Sequence, residues 1–330
     1  MVAACNQAFA QNNDDVRALI KEGVQLNDQG KYAEAVDKYN QALKIDPDNT
    51  QAEFELAYTL YVSGKGDDGI PYLEKVIAAK TSLTAGAYDL LGSIYDKDNK
   101  KDKAIEAYNA GISANPNYQR LYYNLGLVYF RYKQYAEAEK NAIEAIRLDP
   151  KHASSQRMYA LVCFHQNKLV PALMGFCSFL LLEPNSPRSA ESYGNIQHII
   201  QGSVRTSAGG QSTIILSPKG DQNMNALNLT ISIAVISAGK NKTLSPQQQF
   251  ETEITTIFKI TGEQSARKGD KDFFWKYYAD YFYKLSQSPN MPAFARFINS
   301  SSAENADWIK DHPQYMDDLY SWIKTTERSL

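Results

Sequence analysis

The stretch DDVRALIKEGVQLNDQGKYAEAVDKYNQALKIDPDN, residues Asp14–Asn49, decides the fold. It reads as two helices joined at Gly30, because glycine tolerates the positive φ that ends a helix. The first helix carries a small residue, Gly23, where its neighbour must come close. The second opens at Tyr32 and sets Ala35, Tyr39 and Ala42 at helical spacing. Asp46-Pro47 closes it, since proline cannot continue a helix and turns the residue before it away from helical angles.

The pattern returns at a fixed period. Gly23, Ala57, Gly92, Gly126 and Ala160 lie 34 or 35 residues apart, and Ala35, Gly69, Ala104, Ala138 and Ala172 keep the same spacing. Four residues beyond the second set stand Tyr39, Leu73, Tyr108 and Phe176, with Ala142 in the fourth unit. Pro47, Pro116, Pro150 and Pro184 close their units. Thr81 stands in that place in the second unit, whose second helix carries Pro71 near its start. A unit of this kind buries its open apolar face on the next one, so the units stack into a solenoid.

These residues resemble the tetratricopeptide repeat (TPR), with five copies over about residues 16–186. The resemblance implies an all-α fold of helix–turn–helix pairs, with the first helices lining a concave groove. It also implies a non-enzymatic protein-binding adaptor or assembly scaffold that holds a partner peptide or protein. In that register the candidate partner-binding residues are Tyr58, Tyr61, Arg120, Tyr123, Asn124, Arg131, Arg157 and Phe164. Asp89, Leu90, Ser93 and Lys97 share the register in the third unit. Arg120, Arg131 and Arg157 suit bidentate pairing with carboxylates, the rings add apolar area and cation–π contact, and Asn124 suits a peptide backbone. Replacing the three arginines together is expected to abolish partner binding without loss of helix. The bland alternative is that the rings pack between repeats and the arginines are solvated. One device known in the family, a Lys/Asn/Arg clamp on a peptide's terminal carboxylate, is absent. Its positions hold Lys21 with Val24, then Glu55, then Gly86 and Leu90.

The domain reading runs as a signal-peptide remnant or disordered start at 1–13, the repeats with a capping helix at 14–203, a linker at 204–220 and a helical domain at 221–330. Arg188–Gln201 reads as the cap, with Tyr193, Ile196, Ile199 and Ile200 on one side. Ser212–Leu216 is an extended candidate ending at Ser217–Gly220. Over 222–238 a helix is favoured, although Leu227–Val235 also alternates like a strand. Further helices are expected over Pro246–Thr261 with Ser245 as N-cap, Asp270–Ser286, Met291–Asn299, Ser302–Lys310 and His312–Thr325. The aromatic-rich helix from Asp270 should be largely buried. This half is also similar to helical extensions on bacterial TPR proteins. The competing functional class, an enzyme or small-ligand-binding protein, would place its site here, with the repeats as a docking arm.

Composition narrows the partners. The chain carries 35 Lys and Arg against 37 Asp and Glu, without a basic stripe, which argues against nucleic acid. No apolar run reaches the ~18 residues that span a bilayer. Cys5, Cys163 and Cys177 are too few for a disulfide framework; a Cys163–Cys177 bridge is topologically open, but buried free thiols are the commoner reading. Ala8-Phe9-Ala10 has the form of a signal cleavage site, and Val2–Cys5 resembles a lipobox that would lipidate Cys5. Both favour an exported, periplasmic or envelope-associated protein over a cytoplasmic one. No zinc, nucleophile-elbow or phosphate-loop motif is present, so no catalytic, cofactor or metal site is assigned. His152, His165, His198 and His312 lack ligand spacing. The pairs Asp14-Asp15, Asp67-Asp68 and Asp317-Asp318 read as solvated helix charges. Self-association is the third expectation, through an apolar face left open at the last repeat or at Ala142.

Overall fold

The computed structural model describes residues 2–207, 212–215 and 222–330, without the side chains of residues 2–11 and 206. The Cys5 lipid site, the Ala8-Phe9-Ala10 pattern and the Ser217–Gly220 turn therefore lie outside the described residues. The fold is all-α apart from one short hairpin, and the chain divides into two compact units, Met1–Tyr132 and Lys133–Leu330.

The first unit holds α1 (Val2–Asp28), α2 (Tyr32–Ile45), α3 (Thr50–Val62), α4 (Gly66–Ala78), α5 (Thr84–Lys97), α6 (Lys101–Ala114) and α7 (Gln119–Arg131). Each helix packs on the next, and α1, α3, α5 and α7 also touch in succession. The packing follows the small–large exchange in the sequence. A Cβ on Gly23 would sit 2.5 Å from the Tyr39 ring, and one on Gly92 would sit 2.6 Å from the Tyr108 ring. These first-helix glycines leave the space that the rings fill, and both rings are buried. Burial pushes the Tyr39 phenol up to about 12.

The period is also written in the backbone. First helices end on left-handed residues at Gly30, Gly64, Asn99, Lys133 and Asn167. Around Gly30, Gly64 and Asn99 the next N–H reaches back to close the helix, as in Lys31 N to Leu26 O, Lys65 N to Leu60 O and Lys100 N to Tyr95 O. Second helices end differently. Asp46, Asn115, Asp149 and Glu183 each precede a proline and leave the helical region (φ −129°, −147°, −141° and −139°). Where Thr81 replaces the proline, Ala79 stays helical and Lys80 turns left-handed at φ 51° instead. Helix α4 runs through Pro71, which costs it one internal hydrogen bond.

The second unit continues with α8 (Tyr135–Leu148), α9 (Ala153–His165), α10 (Leu169–Leu182) and α11 (Pro187–Gln201). Ser186 caps α11 through a capping box. Val204–Thr206 then pairs antiparallel with Ser212–Ile214, so the segment expected as a linker holds a β-hairpin, tied down where Ile215 N and Ser232 Oγ both donate to Ser203 O. Residues 222–238 form α12 (Gln222–Ala238), a helix rather than a strand. Beyond it lie α13 (Pro246–Ala266, capped by Ser245), α14 (Asp280–Ser286), α15 (Met291–Phe297), α16 (Ala303–Asp311) and α17 (Pro313–Thr325).

Two departures have physical causes. Helix α10 is buried along Val170–Leu180, because α9 lies on one side and α12 and the aromatic segment lie on another. Its sequence LVPALMGFCSFLLL lacks any charge, as a helix enclosed all round requires. Ala142, one place where an open apolar face was expected, is likewise fully buried. The aromatic helix starts later than Asp270 and opens with a π-helical turn, Phe274–Ala279, ahead of α14. Cys163 and Cys177 are free buried thiols, so the bridge left open by the sequence does not form; burial holds both well above the usual thiol range.

Candidate functional site

The first unit gathers most of the groove residues on α3, α5 and α7. Tyr61, Ser93, Asp96, Lys97, Asn124 and Arg131 line a cleft of about 400 Å³ with Asn99, Tyr108 and Leu127. The helix spacing brings them together: Tyr61 ends α3, Ser93 and Lys97 lie one turn apart on α5, and Asn124, Leu127 and Arg131 follow one face of α7.

Their charges are largely spent on each other. Asp89, 3% exposed, accepts a hydrogen bond from Asn124 Nδ2 at 2.7 Å and pairs with the exposed Arg120 at 3.2 Å. Burial pushes its carboxyl above the ordinary range, while Arg120 and Asn124 pull it back. Arg131 grips Asp96 with both arms of its fork, at 2.5 and 3.0 Å, a geometry that holds both side chains in place. Arg157, in the second unit, pairs with Glu191 at 2.6 Å. Each of the three arginines chosen as a hand for a partner's carboxylate therefore already holds one of the chain's own.

Two of those carboxylates lie one repeat from their partners, Asp96 before Arg131 and Glu191 after Arg157. Complementary charges at the repeat spacing are the signal that would have revealed this. Lys97 is the cation left over. Its Nζ lies 5.3 Å over the Tyr61 ring, and among the described residues no carboxylate pairs with it. It stood in the groove register but outside the chosen set. Tyr58 is exposed on α3, and Tyr123 is half-buried on α7. Phe164 packs edge-on against His165 and His198 within the second unit.

The competing site is tested by the cavities of the second unit. One of about 500 Å³ is lined by Tyr193, Gln197, Gln249, Phe250, Glu253 and Asn305, among others. Among the described residues its charged lining groups are Glu253 and Glu304. Glu253 is buried, accepts from Gln249 Nε2 at 2.9 Å and is raised by burial. Amides dominate this wall, and convergent charges of opposite sign are not among its lining groups. Among the described residues no cluster of three metal-binding side chains occurs, and no helix is long and apolar enough to cross a membrane.

Comparison with known proteins follows the same pattern. Residues 23–64 and 92–132 match the family described as TPR repeat, and residues 120–152 match the tetratricopeptide repeat. Human Tetratricopeptide repeat protein 6 is 29% identical over 138 residues, which is 42% of this chain and 26% of that protein. Mouse DnaJ homolog subfamily C member 3 is 32% identical over 107 residues, 32% of this chain and 21% of that protein. The Hsp70-Hsp90 organizing protein of Triticum aestivum is 30% identical over 101 residues, 31% of this chain and 17% of that protein. The chain thus spans 26% or less of these curated relatives. Among solved structures, pilF of Pseudomonas aeruginosa superposes with a TM-score of 0.50 at 20% identity, over 58% of this chain and 91% of that one, a likeness of fold. The backbone period, the small–large packing and these matches together show that the chain carries tetratricopeptide repeats within residues 23–152.

Proposed function

We propose that this chain is a non-enzymatic adaptor whose first-unit cleft holds an extended segment of a partner protein. Lys97 carries the reading. It is exposed at the cleft, rests on the Tyr61 ring and forms no salt bridge among the described residues, feeling the adjacent Asp98 at longer range, while its neighbours Arg120 and Arg131 are paired internally. An acidic side chain of the partner would reach Lys97, and an adjacent apolar one would lie against Leu127 and Tyr61. The internal pairs Asp89–Asn124 and Asp96–Arg131 fix the walls before a partner arrives, which lowers the ordering cost of binding. TPR repeats serve as protein-interaction modules, and a relative named an Hsp70-Hsp90 organizing protein fits an assembly role.

The test is affinity capture from native extract with the intact chain beside Lys97→Glu. Because Lys97 is exposed, the charge reversal gives up its contact with the Tyr61 ring but removes no buried side chain. A partner held by the intact chain and lost by the variant is the expected result. A partner held equally by both contradicts the assignment. The three-arginine variant is a poorer probe, because it strands the carboxylates of Asp89 and Asp96.

A further inference from the structure

A second cleft, of about 320 Å³, lies wholly within the second unit, between α9, α10, the π-helical turn and α17. Thr326, Glu327, Arg328 and Leu330 form one of its walls. Thr326 leaves α17 in an extended conformation, residues 326–330 form no regular secondary structure, and the Arg328 guanidinium enters a cage of aromatic rings. It lies 3.9 Å from the ring centre of Tyr281, 4.8 Å from Tyr277 and 5.5 Å from Phe282. Its Nη1 donates to the buried Ser178 Oγ at 2.6 Å. It also lies 5.7 Å from the Tyr278 ring and hydrogen-bonds the Tyr277 and Tyr281 hydroxyls, and among the described residues no carboxylate forms a salt bridge with it.

The cage does not depend on the arginine that fills it. Gln156, 1% exposed on α9, accepts from the Tyr278 hydroxyl at 2.6 Å and donates to the Tyr277 hydroxyl at 2.8 Å. Behind the rings, Tyr278 stacks on Tyr159 at 5.0 Å and Phe282 on Phe258 at 4.5 Å. The core therefore fixes the rings in place. The segment 326–330, by contrast, is mostly exposed: Glu327, Ser329 and Leu330 face solvent, and Arg328 is its anchor. Segments with few buried contacts open at low cost. A preformed cage filled from a mostly exposed segment has the properties of a binding site carrying an internal ligand.

We propose that the aromatic cage beside this cleft is a recognition site for an arginine side chain on an extended peptide, and that Arg328 occupies it in cis. A guanidinium suits it better than an ammonium. Its plane stacks on the Tyr281 ring while its edge donates to Ser178, and it sheds water more readily than lysine. A short tether gives the internal ligand an effective concentration on the order of millimolar, so an external peptide competes poorly until Arg328 leaves the cage.

The experiment uses the full chain with Arg328→Ala and a synthetic peptide copying Thr326–Leu330, read by ligand-observed NMR titration. The variant should bind the peptide at least tenfold more tightly than the intact chain. A peptide with citrulline in place of arginine should bind at least tenfold more weakly, and adding Tyr281→Ala to the variant should remove binding. If Arg328→Ala, with its native circular dichroism, binds no better than the intact chain, the proposal is overturned. Equal binding of the citrulline peptide also overturns it. Should Arg328→Ala fail to fold, Arg328→Lys keeps the cation without the planar fork, and the same two comparisons decide.

Discussion

Asn124→Ala tests whether the polar wall of the first-unit cleft is held as described. The Asp89 carboxylate has two partners, Asn124 Nδ2 at 2.7 Å and Arg120 at 3.2 Å, and its side chain is only 4% exposed. A hydrogen bond to a buried charged group is worth about 1.5–3 kcal/mol. The Arg120 side chain is 66% exposed, so solvent screens that pair and its compensation stays below about 1 kcal/mol. Removing the amide should therefore cost about 1.5–3 kcal/mol near neutral pH, felt first in α5 and α7. The loss should also depend on pH. Burial raises the Asp89 carboxyl in the folded state, so folding is favoured as pH falls from that raised value towards the unfolded one. Asn124 pulls it down, so deletion raises it further, and protonation relieves the variant more than the parent. Backbone hydrogen exchange in α5 and α7, measured at neutral pH and in the acidic range, reads both effects. A gap that narrows as pH falls is expected; a loss under about 0.5 kcal/mol at neutral pH, or one that does not change with pH, refutes the reasoning.

Two further outcomes follow from packing. Gly92→Ala gains about 0.5–1 kcal/mol of helix propensity, but its Cβ would meet the buried Tyr108 ring at 2.6 Å, and overpacking costs about 1–3 kcal/mol. Thermal melts should show a net loss, whereas Gly194→Ala, with nothing within 4 Å of the new Cβ, should gain about 0.5–1 kcal/mol. Cys163 and Cys177 are fully buried with thiols raised by burial, so a thiol reagent at neutral pH should modify neither before the chain unfolds. Rapid labelling of either in the native chain would contradict the packing of α9 and α10.

The repeat was legible because it rests on local chemistry. Small residues at 34- and 35-residue spacing, glycine or asparagine at the left-handed turn and proline after the second helix each carry their own conformational preference. Lys133 sits in the left-handed region at φ 59° without that preference, so the sequence did not mark its turn. The site was only partly legible. Tyr61, Asn124 and Arg131 do line one cleft, yet their choice ignored the acids facing them one repeat away. The π-helical turn escaped because an aromatic run such as FFWKYY looks the same at either helical pitch. Arg328 was invisible as a ligand, since its cage is assembled from α9, α10, the π-helical turn and α14, and only folding brings those together.

The adaptor function stands or falls on where a partner touches the first unit. A photoreactive amino acid placed at Tyr61 or Leu127, in the cleft, can be compared with one at Gln41 or Glu106, exposed on the second helices α2 and α6. Irradiation in native extract should give a protein adduct from the two cleft positions and none from the other two. Adducts that form only from Gln41 and Glu106, or equally from all four, would contradict it.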